Sequence, residues 1–313
     1  MPGQLVHIAL VDSLLIPSVL DAIPTLSPSI RDALDSFQPF CRLGAVSPDC
    51  PSVVGQSDAT GWNSVMHYVR PADFVRYAMP ELWEMHFNAR DTKACIAWLF
   101  GYTAHLVADY SIHPIVAALV GPYSEKKNRA AHRLCEFCQD VYIFHNRYQK
   151  EVSEIDFLNV TGLKECSKDG NLHKLNPAIA ELWKSVLQQY PRSETKEYVR
   201  LPSISLTPNI WFATYLNVME NFATKGSLFA KLFGCAYMKC AEIDFRFIKN
   251  LTVPNSSKAT NYDAIFEQTR QNLIQTWREL AAALDKDNTD RFTLANGNLD
   301  TGLDTNGNSI YWA

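Results

Sequence analysis

Gly101-Tyr-Thr-Ala-His105-Leu-Val-Ala-Asp109-Tyr-Ser-Ile-His113-Pro114 sets three metal-ligand side chains at every fourth position of a largely apolar run. A helix turns once in about 3.6 residues, so His105 and Asp109 project the same way from adjacent turns. His113 lies roughly 80° round from His105, and Pro114 behind it predicts that a helix over 91–112 stops there. Downstream, His132-Arg-Leu-Cys-Glu136 repeats the spacing. Two helices that each turn a histidine and a carboxylate inward predict a metal site in a helical core.

The flanking sequence supplies more helices. Leu5, Ile8, Ala9, Val11, Leu15 and Leu20 predict one over 5–22, with His7 on it. Pro24 and Ser27/Ser29 open another over 24–40. Helical patterns also cover 71–87, 126–152, 176–190 and 261–285. A long aromatic pattern runs from 209 to 250; Trp211–Tyr215 and Phe229–Phe233 in it suit either a hydrophobic wall for an apolar substrate or plain core. Residues 41–62 are rich in Gly, Pro, Ser and Asp and read as a long irregular loop carrying Asp49 and Asp58. Loops longer than about 15 residues inside a domain are usually functional. There is no repeat and no convincing run of alternating strands. The expected fold is all-α: one multi-helix domain over 1–285, with a polar, glycine-containing tail, 286–313, packed on it.

With 313 residues, 47% apolar and 20% charged, the chain has the composition of a soluble globular protein with a sizeable core. A net charge of −4 leaves no basic footprint for nucleic acid. It still permits a phosphate substrate if bound cations supply local positive charge. The N-terminus has no basic region and Asp12 interrupts its apolar stretch, so neither a secretory signal nor a transmembrane helix is expected, and a cytoplasmic location is. The eight cysteines, mostly in apolar patterns, suit buried thiols in a reducing compartment. Cys135 and Cys138 form a CxxC on the predicted helix of His132 and Glu136. Without a second CxxC, helix packing accounts for the pair better than redox chemistry or a four-cysteine zinc site.

Taken alone, each His-xxx-acid pair has an ordinary reading as a local hydrogen bond or ion pair. Together, with His113 in phase, His67 after the Asp-bearing segment and His7 on the first helix, they point to metal. Neutral imidazole and carboxylate suit zinc that keeps a coordination position open for water. His86, His145 and His173 lie in surface-like contexts and receive no role.

These residues resemble the zinc-dependent phospholipase C family and, more distantly, the single-strand-specific zinc nucleases of the same superfamily. The matching pieces are Leu5-Val-His7, Leu43-Gly-Ala-Val-Ser-Pro-Asp49, His67, Trp98-Leu-Phe-Gly-Tyr-Thr-Ala-His105-Leu-Val-Ala-Asp109 with His113-Pro114, and His132-Arg-Leu-Cys-Glu136. They agree in order, type and spacing over roughly residues 5–150, and Asn298-Leu-Asp-Thr-Gly302 adds a weaker match. The resemblance implies an all-α fold with a trinuclear zinc cluster in a cleft. Asp49, His67, His105 and Asp109 would hold one zinc. His113, His132 and Glu136 would hold a second, and Asp109 would bridge to a third with His7. The family completes that third site with an N-terminal Trp, where this sequence has Met1-Pro2.

The expected function is therefore a zinc-dependent hydrolysis, with two or three zinc ions, of a phosphate ester: a phospholipid, a phosphodiester or a phosphomonoester. Asp49 is the candidate for orienting or deprotonating the attacking water, with pure ligation as its alternative role. Trp62, Tyr68 and Asp58 are candidates for lining the cleft, or for packing. Two other functions compete. One is the same metal scaffold turned to different chemistry on a small-molecule biosynthetic intermediate. The other is a zinc-stabilised binding protein without catalysis.

Overall fold

A computed structural model describes residues 3–54, 57–85, 89–199, 207–223 and 237–312, and it is all-α in architecture. The first half contains α1 (Gln4–Leu14), α2 (Pro17–Asp21), α3 (Pro28–Ser36), α4 (Gln38–Val46), α5 (Ser57–Tyr68), α6 (Pro71–Glu84) and α7 (Arg90–Val120). Then come α8 (Arg129–Tyr148), α9 (Phe157–Thr161), α10 (Pro177–Gln188), α11 (Arg192–Thr195), α12 (Pro208–Val218) and α13 (Tyr262–Asp285). Polar caps mark several starts: Ser27 Oγ accepts from Ile30 N, and the Asn261 side chain accepts from Ala264 N. Three two-stranded antiparallel ribbons, near residues 167–175, 249–261 and 297–304, are the β structure among the described residues.

The 31-residue α7 is the axis. By length and composition it could cross a membrane, but most of it is buried inside the protein, as a core helix is. Its closest neighbour is α4, and two glycines make that contact possible. A Cβ on Gly44 would fall 2.0 Å from the Trp98 carbonyl oxygen, and one on Gly101 would fall 1.8 Å from that of Cys41. The backbones therefore touch directly, which brings the Ala45 carbonyl within 2.9 Å of His105 Nδ1.

Four expectations need correction. First, Pro114 does not end α7. The helix runs through it to Val120, giving up only the one hydrogen bond that proline cannot donate. Second, residues 41–62 are not a loop. They continue α4, pass through a 3-10 segment (Ser47–Val54) that accommodates Pro48 and Pro51, and enter α5. Ser47 Oγ donates to Leu43 O and Ser52 Oγ donates to Asp49 O, so side chains satisfy the carbonyls left open there. Third, the 5–22 and 24–40 helices each divide, at Pro17 and before Pro39, where a proline begins a new helix rather than continuing the old one. Fourth, the 209–250 pattern is not one helix. After α12 and a π turn, the described residues resume at 237 as 3-10 turns and the strand Lys249–Thr252. Phe229–Phe233, Cys235, His86, Met1-Pro2 and the Asp58 side chain lie outside the described residues.

Candidate metal centre

Four buried side chains from three elements meet beside the α4–α7 contact. His105 and Asp109 come from α7, His67 from the last turn of α5, and Asp49 from the 3-10 segment. His67 Nε2 lies 3.2 Å from Asp49 Oδ1, 3.4 Å from His105 Nε2 and 3.8 Å from Asp109 Oδ2. His105 Nε2 lies 3.2 Å from Asp109 Oδ2 and 4.0 Å from Asp49 Oδ1. His7 of α1 adds a second group with His105 and Asp109. Its Nε2 is 3.4 Å from Asp109 Oδ1, and its ring stacks on His105 at 4.2 Å between centroids. Asp109 thus turns one oxygen toward His7 and the other toward His67 and His105.

Outer contacts fix which nitrogen faces inward. A carbonyl only accepts, so His105 Nδ1 carries the proton it donates to Ala45 O, and His67 Nδ1 the proton it donates to Asn63 O. The Nε2 lone pair of each neutral ring is then left for the centre. On α7 and α8, His113 Nδ1 donates to Leu299 O at 2.9 Å and His132 Nε2 donates to Gly121 O. His113 Nε2 and His132 Nδ1 are buried without a hydrogen-bond partner. His132 Nδ1 lies 3.9 Å from Glu136 Oε1. Among the described residues, His113, His132 and Glu136 do not converge into a compact group like the other two.

The charges are strongly coupled. Burial pushes His7 and His113 well below the usual imidazole range, and in His7 the facing His105 adds to the effect. Burial also disfavours a charged His105, but Asp109 and Asp49 outweigh it and raise its pKa to about 9. Burial raises Asp109, with His105 opposing. In Asp49 burial is outweighed by His105 and His67, which hold the carboxyl below its ordinary value.

The donor set fits zinc. Ligand atoms about 2.0–2.2 Å from a tetrahedral zinc are about 3.3–3.6 Å apart, close to the 3.2–4.0 Å separations around His67 and His105. Both nitrogens of His7, both carboxylate oxygens of Asp109 and Oδ1 of Asp49 are buried with no hydrogen-bond partner. Buried polar atoms are normally satisfied, so this concentration of exceptions marks a place for a cation.

Two contributors escaped the sequence reading. Gln4 Nε2 donates to Asp49 Oδ2 at 2.6 Å, and nothing in the sequence announces it. Asp140 extends the α8 ladder His132–Glu136–Asp140 by one more turn, a spacing that was there to be seen. It is buried, and it accepts from Val6 N at 2.7 Å and from Tyr237 Oη at 2.6 Å, which caps the helix that carries His7. Burial raises its pKa to about 7. The weaker match Asn298-Leu-Asp-Thr-Gly302 also reaches the site, through Leu299 and Asp300 beside His113. Of the candidate lining residues, Tyr68 donates to Asp300 Oδ2 at 2.7 Å, and Trp62 is buried. Cys135 and Cys138 are free buried thiols on α8; burial raises both pKa values, which favours the packing role.

A family model described as zinc-dependent phospholipase C matches residues 6–193. Two curated relatives are similar to part of the chain: the phosphatidylinositol-glycan-specific phospholipases D of Homo sapiens and Rattus norvegicus, each 34% identical over 97 residues. The match covers 27% of this chain and about a tenth of either relative's length (10%). No solved structure matches the chain.

Proposed function

This chain belongs to the zinc-dependent phospholipase C family, and from that premise we propose that it hydrolyses a phosphate ester at a zinc centre held by His7, Asp49, His67, His105 and Asp109, with His113, His132 and Glu136 as further ligands. The observation that carries the reading is the division of Asp109. Its Oδ1 lies 3.4 Å from His7 Nε2 and its Oδ2 lies 3.2 Å from His105 Nε2, with neither oxygen hydrogen-bonded. A carboxylate so placed could serve metal held in either of the two groups, His7/His105/Asp109 or Asp49/His67/His105.

Zinc bound there supplies positive charge against a phosphoryl group and activates water at neutral pH. The chain's own residues prepare the site. In the metal-free site the proton held by His105, whose pKa is raised to about 9, offsets part of the charge of Asp49 and Asp109; cations bound there would displace it and supply the positive charge that a phosphate needs. Gln4 pins Asp49 Oδ2, leaving Oδ1 facing the histidines, where it can ligate or orient the attacking water. Ala45, Asn63 and Leu299 hold their histidines through main-chain carbonyls, so the rings are set before substrate arrives.

Metal content of freshly purified protein, with turnover of a chromogenic phosphodiester, a phospholipid, a phosphomonoester and a phosphatidylinositol-glycan, tests the proposal. The last substrate is included because both relatives are named for it. His105→Ala and Asp109→Ala should lose zinc, and kcat should fall by more than about a hundredfold, beyond the usual loss from an outer contact. A His105→Ala protein with full zinc and full turnover overturns the ligand assignment. Bound zinc without turnover of any phosphate ester overturns the hydrolase and favours different chemistry on the same scaffold.

A further inference from the structure

We propose that the C-terminal segment Asn298–Gly302 is a strap that positions the metal centre, fixing His113 and His67 from outside. The proposal rests on the reading above that these histidines bind metal. The strap lies well beyond the family-matched residues 6–193.

Leu299 is fully buried and its peptide bridges two helices. Its N–H donates to His67 O at 3.2 Å, and its carbonyl accepts from His113 Nδ1 at 2.9 Å. That second bond sets the His113 tautomer and leaves Nε2, buried and unpartnered, as the ligand atom. The next residue, Asp300, accepts from Tyr68 Oη at 2.7 Å and lies 3.7 Å from His113 Nδ1. Two consecutive residues therefore engage the end of α5 and the far half of α7.

The strap docks where Pro114 disturbs α7. Proline has no N–H, so the Tyr110 carbonyl loses its partner four residues on. Gly302 occupies that spot with φ +65°; a Cβ there would fall 2.6 Å from Tyr110 O and 2.4 Å from Pro114 Cγ. Farther along, Trp312 Nε1 donates to Ser111 O at 2.7 Å, and Ile310 N donates to Gly302 O at 3.0 Å. The proline thus explains why a long helix accepts a strap at this level, and the glycine explains how the strap comes so close.

Three variants and one control test this in the full chain. Gly302→Ala should push the strap off α7 and weaken zinc binding, measured by competition with a chromogenic chelator, by about 10–100-fold, the usual cost of losing an outer contact. The His113 Nδ1 proton, seen in nitrogen-15 histidine spectra, should lose its hydrogen-bonded signature. Asp300→Ala should weaken zinc by about tenfold, and Asp300→Asn, which keeps an acceptor for Tyr68, should recover most of that loss. This pair carries the test if Gly302→Ala fails to fold. His113→Ala is the control. If it weakens zinc while the folded strap variants do not, or if Asn rescues no better than Ala, the strap plays no positioning role. If His113→Ala itself leaves zinc binding unchanged, the ligand reading fails first.

Discussion

His105 donates from Nδ1 to Ala45 O and holds Nε2 at 3.2 Å from Asp109 Oδ2, so its protonation ties the fold to the metal. In the metal-free protein burial works against the charged ring, but Asp109 and Asp49 prevail and raise the pKa to about 9. Zinc must then displace a proton, and each unit of pH gained between about 7 and 9 should tighten zinc binding about tenfold. Calorimetry at pH about 7.5 in buffers of different ionisation heat should find at least about one proton released per site. No proton release there would sink the assignment. The effect on stability has a definite sign. A base with a raised pKa contributes stability that is complete below its unfolded value, near 6.5, and lost as pH rises through about 9. The metal-free form should therefore weaken over that window. At this scale His105 and Asp109 were readable, because the period of their helix projects them together into one buried cluster. Gln4 was not, since its partner Asp49 is 45 residues away and no local pattern links them.

Gly44 and Gly101 show where reading by elements succeeded and where it failed. The helices themselves were visible from apolar spacing. The boundaries near 15–17, 36–39 and 112–114 were not, because a proline can start, interrupt or simply sit inside a helix, and the surrounding packing selects among these. The composition of 41–62 suggested a loop for a similar reason. Gly44 serves close helix contact rather than a turn, and Pro48 and Pro51 fit a 3-10 segment that delivers Asp49. Replacing Gly44 with Ala separates these roles. In a free helix Gly→Ala stabilises by up to about 1 kcal/mol. Here the new Cβ would meet the Trp98 carbonyl at 2.0 Å, and that backbone cannot step aside cheaply. Urea unfolding of Gly44→Ala should show a loss of about 3 kcal/mol or more. A stabilised variant would mean that α4 and α7 are not in backbone contact.

At the scale of the whole molecule, the centre joins segments far apart in the chain. His7, Asp49, His67 and His105 come from α1, the 3-10 segment, α5 and α7, and the strap arrives from Leu299, 186 residues beyond His113. Contacts of that span leave no periodic trace, so the strap's docking place was invisible before the fold was known. They also imply that metal and fold are linked. Metal-free, the unpartnered atoms of His7, Asp49 and Asp109 face one another in a buried cavity, and each unmet polar group costs about 1–3 kcal/mol. Zinc that binds the folded chain adds about 2.7 kcal/mol at a free concentration a hundredfold above Kd. For a chain of this size the expected rise in Tm is roughly 5 °C. If the helical core and the tail 286–313 form one unit, as we propose, scanning calorimetry should give a single transition that shifts as a whole with zinc. Two transitions, with only one responding to zinc, would separate the tail from the centre and leave His113 without the clamp proposed for it.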